Sequence, residues 1–210
     1  MYLTYVDLPP VPKYIRDQII HIVEHPIHNF QNSASFVEYA RKNLNIEASQ
    51  EIIDAIVGIE YNSQDSLGYH LSDAFKYFDD LANFDFLEVN DEIKKWVREN
   101  IDLDVIHISI QSMHSGKTIT PHIDEMRNYA YNYIIETGGD KTSTCFWTPK
   151  VEYSHLKTYA QTVFPYDRLD LVEKIKIKEC AWHKLDTKTI HSVENLDPHK
   201  KRISLSLSFL

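Results

Sequence analysis

The chain is short of glycine. Of its 210 residues only Gly58, Gly68, Gly116, Gly138 and Gly139 are glycine, and none falls into GxGxxG or a P-loop. No serine sits in GxSxG. A dinucleotide fingerprint, a phosphate-cradling loop and a nucleophile elbow are therefore excluded as sources of function. Cysteine is scarcer still. Cys145 and Cys180 are the only two, too few for a disulfide framework or a thiolate zinc site, and both are expected as buried thiols in a reducing compartment. No stretch approaches the ~18 uninterrupted apolar residues of a membrane-spanning helix, and the N-terminus has no signal-peptide pattern; a cytoplasmic protein is expected. Positive charge is also lacking. Twenty-two Lys and Arg against 31 Asp and Glu give a net charge of −9, whereas nucleic-acid surfaces carry a clustered basic excess. Nucleic acid is disfavoured as a partner.

What is present is an ordinary globular composition, 43% hydrophobic and 25% charged, in a length suited to one domain with a substantial core. Residues 1–102 read as mainly helical. From Pro12 to His25, Ile15, Ile19, Ile20, Ile22 and Val23 recur at helical spacing. Ser35 with Glu38 forms a capping-box pattern for a helix through Leu44, and Glu51–Val57 suggests another. Asn90 is a cap candidate, with Asp91 and Glu92 suited to the first turn of a helix through Trp96 to Asn100.

Residues 103–210 read as strands. Alternation runs from Val105 to Met113, and Tyr129 to Glu136 is rich in Tyr and Ile. Gly138-Gly139 suits a tight turn needing positive φ before Lys141–Trp147. Leu171–Trp182, Thr187–Val193 and the closing segment follow. Between them, 149–170 is an aromatic excursion containing Tyr153, His155, Tyr159, Phe164 and Tyr166. It reads either as local packing or as a lid over a site. The order of elements predicts an α+β domain with helices packed on one face of an antiparallel sheet or barrel.

The closing segment, Arg202-Ile203-Ser204-Leu205-Ser206-Leu207-Ser208-Phe209, alternates without a slip. Its strand has one aliphatic face and one face of an arginine and three serines. If the helices cover the aliphatic face, the Arg–Ser face turns inward.

A second stretch carries chemistry. In Thr120-Pro121-His122-Ile123-Asp124, a strand would project His122 and Asp124 from one face, where both could hold one metal ion. His191, in Thr189-Ile190-His191-Ser192-Val193, is the candidate third ligand. Two histidines and a carboxylate form the facial set that leaves positions open on Fe(II). A single HxD arises readily by chance among 11 histidines. His21, His25, His28 and His70 are assigned structural or surface roles, as are His107, His114, His155, His183 and His199. No HxH occurs, which removes the tighter histidine–glutamate cluster of cupins.

The full pattern has HxD after a strand and the Gly116 loop, a distal His191, and Arg202 eleven residues further with Ser204 on its face. It resembles the Fe(II)- and 2-oxoglutarate-dependent oxygenases and their HxD…H…R arrangement. Gly138-Gly139-Asp140-Lys141-Thr142 looks like the glycine-pair hairpin of the prolyl-4-hydroxylase-like branch. Leu185-Asp186-Thr187 leading to His191–Asn195 resembles that branch and the aspartyl/asparaginyl hydroxylase-like branch. The resemblance covers roughly 103–210. It implies a double-stranded β-helix (jelly-roll, cupin-like) core and a metal centre of His122, Asp124 and His191. By the same resemblance Arg202 and Ser204 would hold the distal carboxylate of the cosubstrate 2-oxoglutarate, and Asn132 would help. The implied activity is an O₂-consuming hydroxylation of an amino-acid or peptidyl side chain that releases succinate and CO₂. Arg127, shortly after the HxD, reads as a salt-bridge partner or a substrate contact, with the surface as its default. The alternative is a non-catalytic barrel that binds metal or metabolite as a sensor or structural module.

Overall fold

Two antiparallel sheets lie face to face, and the chain passes repeatedly from one to the other. The computed structural model describes residues 2–25, 60–61, 84–105, 107–124, 127–150, 156–157 and 161–209; for 60–61, 84–86, 156–157 and 161–163 it describes backbone only. The helices expected over Ser35–Leu44 and Glu51–Val57 lie outside these residues. The strands are β1 (Leu3–Val6), β2 (Glu60–Tyr61), β3 (Phe84–Glu88), β4 (His107–Met113), β5 (Ile119–Asp124), β6 (Tyr129–Thr137), β7 (Ser143–Pro149), β8 (Leu156–Lys157), β9 (Gln161–Val163), β10 (Leu169–Ile175), β11 (Trp182–Asp186), β12 (His191–Glu194) and β13 (Arg202–Phe209). The first sheet has the order β1-β11-β6-β13-β4-β3 and the second β10-β7-β12-β5-β9-β8-β2. Every pairing is antiparallel.

Two α-helices occur among the described residues, α1 (Lys13–Glu24) and α2 (Asp91–Asn100), besides a 3-10 turn over Tyr166–Arg168. Asn90 caps α2 by accepting from the Ile93 N–H at 2.9 Å, satisfying one of the donors left open at a helix start. Ile15 and Ile19 of α1 and Ile93 and Val97 of α2 form one cluster with Ile110, Tyr133, Trp182, Ile203, Leu205 and Leu207 of the first sheet. Each large aliphatic side chain removed from water there contributes about 1.5–3 kcal/mol. Leu205 and Leu207 are 0% exposed. Their burial under the helices turns Arg202, Ser204, Ser206 and Ser208 toward the second sheet.

The turn from β6 to β7 needs its glycines. Gly138 has φ +81° and Gly139 φ +117°, and a Cβ on Gly139 would stand 2.7 Å from Asp197 Cβ. No helix among the described residues is long and apolar enough to cross a membrane.

Four expectations need correction. Cys180 is exposed, not buried as expected, whereas Cys145 is buried. The segment Leu171–Trp182 is not one strand: β10 ends at Ile175, and Trp182 opens β11 in the other sheet. Alternation continues through Lys176-Ile177-Lys178, and the crossover turns at Cys180, a non-glycine residue in the left-handed region at φ +52°. The strand expected from Thr187 begins only at His191, because Thr187–Thr189 form a turn with Thr189 N–H bonded to Asp186 O. The first half also supplies strands: β1 and β3 form the two edges of the first sheet.

Candidate metal centre

β5 and β12 lie side by side in the second sheet with His122 directly opposite His191. Period-two alternation places Asp124 on the same face as His122. One potential ligand atom from each of His122, Asp124 and His191 lies within 4.8 Å of the others, and all three residues are buried. The imidazole centroids are 4.3 Å apart at 49°, and His122 Nε2 stands 3.5 Å from Asp124 Oδ1.

The ring orientations are fixed from behind. His122 Nδ1 lies 2.8 Å from Thr120 O and His191 Nδ1 lies 2.9 Å from Thr189 O. A carbonyl only accepts, so each Nδ1 carries the proton and each Nε2 keeps its lone pair, the form in which histidine binds a metal. Burial lowers the pKa of both rings, to about 3 for His191, where His122 adds to the effect. Burial alone would raise the Asp124 pKa, but Arg127 foremost outweighs it and holds the carboxyl at about 2. Two neutral imidazoles and one anionic carboxylate therefore face each other at neutral pH.

Arg127 departs from its default place on the surface and makes the salt bridge that was its alternative, to Asp124. Its Nε donates to Asp124 Oδ2 at 2.7 Å, and its Nη1 reaches Ser206 Oγ and Ser208 Oγ at 3.2 Å each. Two of the three serines of the closing strand thus anchor the guanidinium that braces Asp124.

Arg202 points its guanidinium across the gap between the sheets, where Nη2 makes a long contact of 3.5 Å with Thr144 Oγ1 of β7. Thr144 pairs with Val193, one alternation step from the Phe146–His191 pair, about 7 Å of strand. Burial lowers the Arg202 pKa to about 10. Among the described residues no carboxylate pairs with it. Arg202 is half-buried, and a cation partly withdrawn from water without an acid partner is costly.

Ser204 is buried on the same face, opposite Gln111 and Ile134. Asn132 sits opposite Ser206 on β6 and His183 on β11. Asn132 Oδ1, Gln111 Nε2 and His183 Nε2 are all buried without a hydrogen-bond partner. Sequence reasoning missed Gln111 and His183. Both lie on strands whose inward face could have been assigned only by knowing which side the helices cover. His107 is exposed at the start of β4; His155, His28 and His70 lie outside the described residues.

From the 149–170 excursion, β9 runs beside β5 with Val163 opposite His122 and Gln161 opposite Asp124. Tyr166 donates to Glu194 Oε1 at 2.6 Å and packs edge-on against Trp147. Tyr153, His155 and Tyr159 lie outside the described residues.

No family model matches the sequence, and no curated protein does. Among solved structures, E. coli ycfD is 14% identical over 56% of this chain and 29% of its own, with a TM-score of 0.35. Bacillus subtilis oxalate decarboxylase is 9% identical over 48% of this chain and 20% of its own, TM-score 0.28. An oxidoreductase of the 2OG-Fe(II) oxygenase family from Burkholderia pseudomallei is 8% identical over 87% of this chain and 91% of its own, TM-score 0.39. This chain thus spans less than a third of the first two proteins. Likenesses this distant carry no argument about chemistry, which rests on the side chains themselves.

Proposed function

We propose that the protein is an Fe(II)- and 2-oxoglutarate-dependent dioxygenase that hydroxylates an amino-acid side chain, free or within a peptide. The observation that carries the reading is a buried His–Asp–His set facing the same interior as a half-buried arginine, Arg202, without an acid partner. The strand order supports a double-stranded β-helix core, because β4, β6, β11 and β13 fall in one sheet and β5, β7, β10 and β12 in the other.

The residues suit the groups they would hold. Two neutral nitrogen donors and one carboxylate oxygen match the facial set used by non-haem Fe(II), with His122, Asp124 and His191 as the ligands. Arg202 offers a fork of donors to the distal carboxylate of 2-oxoglutarate, Ser204 adds a hydroxyl, and Asn132 faces the same space. Iron with bound 2-oxoglutarate would supply the activation of O₂ that couples decarboxylation to C–H oxidation. The chain positions the ligands, keeps the imidazoles unprotonated and walls the site from water with the two sheets. No side-chain general base is required. The acidic chain favours a small-molecule or peptide substrate over nucleic acid, and the two unpaired cysteines suit the cytoplasm.

The test is succinate release with added Fe(II) and 2-oxoglutarate, against amino acids and proline- or asparagine-containing peptides. Iron-dependent succinate raised by one substrate class is expected. A protein that binds metal yet forms no succinate with any substrate, or without one, would instead be the non-catalytic binding module.

A further inference from the structure

His183 is a buried titratable group that this chemistry leaves unused. β11 sets it on the interior face of the first sheet, opposite Asn132, and it is 1% exposed. Two neighbours fix its ring. Nδ1 donates to Asn132 O at 3.2 Å, and the Tyr5 ring lies against it with centroids 4.6 Å apart. That leaves Nε2 as an acceptor, buried and without a partner; Asn132 Oδ1 on the neighbouring β6 and Gln111 Nε2, three strands away on β4, are orphaned on the same sheet. Buried polar atoms in native proteins are nearly always satisfied, so the bare Nε2 calls for a partner that the chain itself does not supply, a ligand or a water.

The surroundings define what that ligand does to the ring. Among the described residues, the titratable or charged groups facing His183 are Tyr5 from β1 and Arg202 from β13. The carbonyls of Asn132 and Ala181 also face it, and no carboxylate acts on it. Burial first, with a later contribution from the Arg202 charge, lowers its pKa to about 4, so the ring is neutral at neutral pH. An anion seated on Arg202 cancels that cation and brings the negative charge the ring otherwise lacks. 2-Oxoglutarate is acceptor-only toward the ring, so the lone pair on a neutral Nε2 cannot pair with it.

We propose that His183 is a ligand-binding residue of the barrel interior: when the cosubstrate's distal carboxylate settles on Arg202, the imidazole takes a proton from solvent and donates it from Nε2 to that anion. This rests on the reading of Arg202 as the cosubstrate anchor. Loading of the site is then coupled to proton uptake.

Titration calorimetry of the Mn(II)-loaded full chain with 2-oxoglutarate, in two buffers of different ionisation enthalpy, tests it. The wild type should take up a substantial fraction of one proton per ligand, and its affinity should rise several-fold from pH 8.5 to 6.5. His183→Gln, which keeps a donor without titrating, should bind with no proton uptake and a flat pH profile. His183→Phe should lose at least about tenfold in 2-oxoglutarate affinity, the worth of a hydrogen bond to a charged group, while Mn(II) affinity stays unchanged. If His183→Phe does not fold, the proton count and the glutamine variant still decide. Tight wild-type binding without proton uptake overturns the His183 inference alone; no binding at all overturns the Arg202 anchor together with it.

Discussion

Arg127 holds one oxygen of Asp124 and leaves the other for the imidazoles. Its Nε donates to Oδ2 at 2.7 Å, while Oδ1 is the oxygen 3.5 Å from His122 Nε2. The guanidinium is fixed in turn by Ser206 and Ser208, and its own carbonyl accepts from Thr187 Oγ1 at 2.6 Å. With Oδ2 engaged, the carboxylate offers a metal a single oxygen, so that more of the coordination sphere is left for other ligands.

Arg127→Met should therefore weaken metal binding by about 10–100-fold, the usual effect of removing a group that orients a ligand. Arg127→Lys, which keeps the charge but not the fork, should fall between. Competition with a chelator measures both. Equal affinities for the wild type and Arg127→Met would contradict the role.

Acid should destabilise the metal-free protein early. His183 and His191 have folded pKa values of about 4 and about 3 against an ordinary 6.5. The unfolded chain binds protons that the folded one refuses, so this stability is complete above pH 6.5 and is lost as pH falls toward 4 and 3. Asp124, at about 2 against 3.8, adds a further loss only below pH 3.8. The urea midpoint should drop steeply between pH 6.5 and 4, and His183→Phe should remove part of that slope. A midpoint flat across this range would contradict the buried, neutral assignment.

Arg202→Leu separates a binding cation from a structural one. Removing a half-buried charge that has no acid partner relieves desolvation, so the ligand-free variant should be as stable as the wild type or more so, while 2-oxoglutarate affinity collapses. Thermal melts with and without 2-oxoglutarate read both effects. A strongly destabilised variant would show that Arg202 serves the fold.

Gly139→Ala should cost the fold about 1–3 kcal/mol, because φ +117° and the 2.7 Å approach to Asp197 Cβ both exclude a side chain. Denaturant unfolding measures it. A neutral result would mean the β6–β7 turn can adopt another conformation.

Much of this architecture was legible in the amino-acid order. The unbroken alternation of Arg202–Phe209 and the helical spacing of Ile15 and Ile19 specify which surfaces meet, since apolar faces have only each other to cover them. The Asn90 cap is a local signal with a local partner. His122, Asp124 and His191 were recognisable from residue type and spacing, though their meeting depends on β5 and β12 pairing in register. Other features had no such signal. Arg127 lies in a connection after β5, where side-chain direction follows no period. The strand around His183 alternates Trp182 and Lys184 with His183 and Leu185, so each face carries one apolar and one polar residue and neither declares itself inward. Cys180 turns the chain without the glycine that usually marks a left-handed residue.

The most direct measurement is an anaerobic titration of the full chain with Fe(II) in the presence of 2-oxoglutarate, followed by visible absorption. The account predicts a weak charge-transfer band saturating at one iron per chain, absent from His191→Ala and from Arg202→Leu. A wild type that develops no band, or a band that survives His191→Ala, would contradict it.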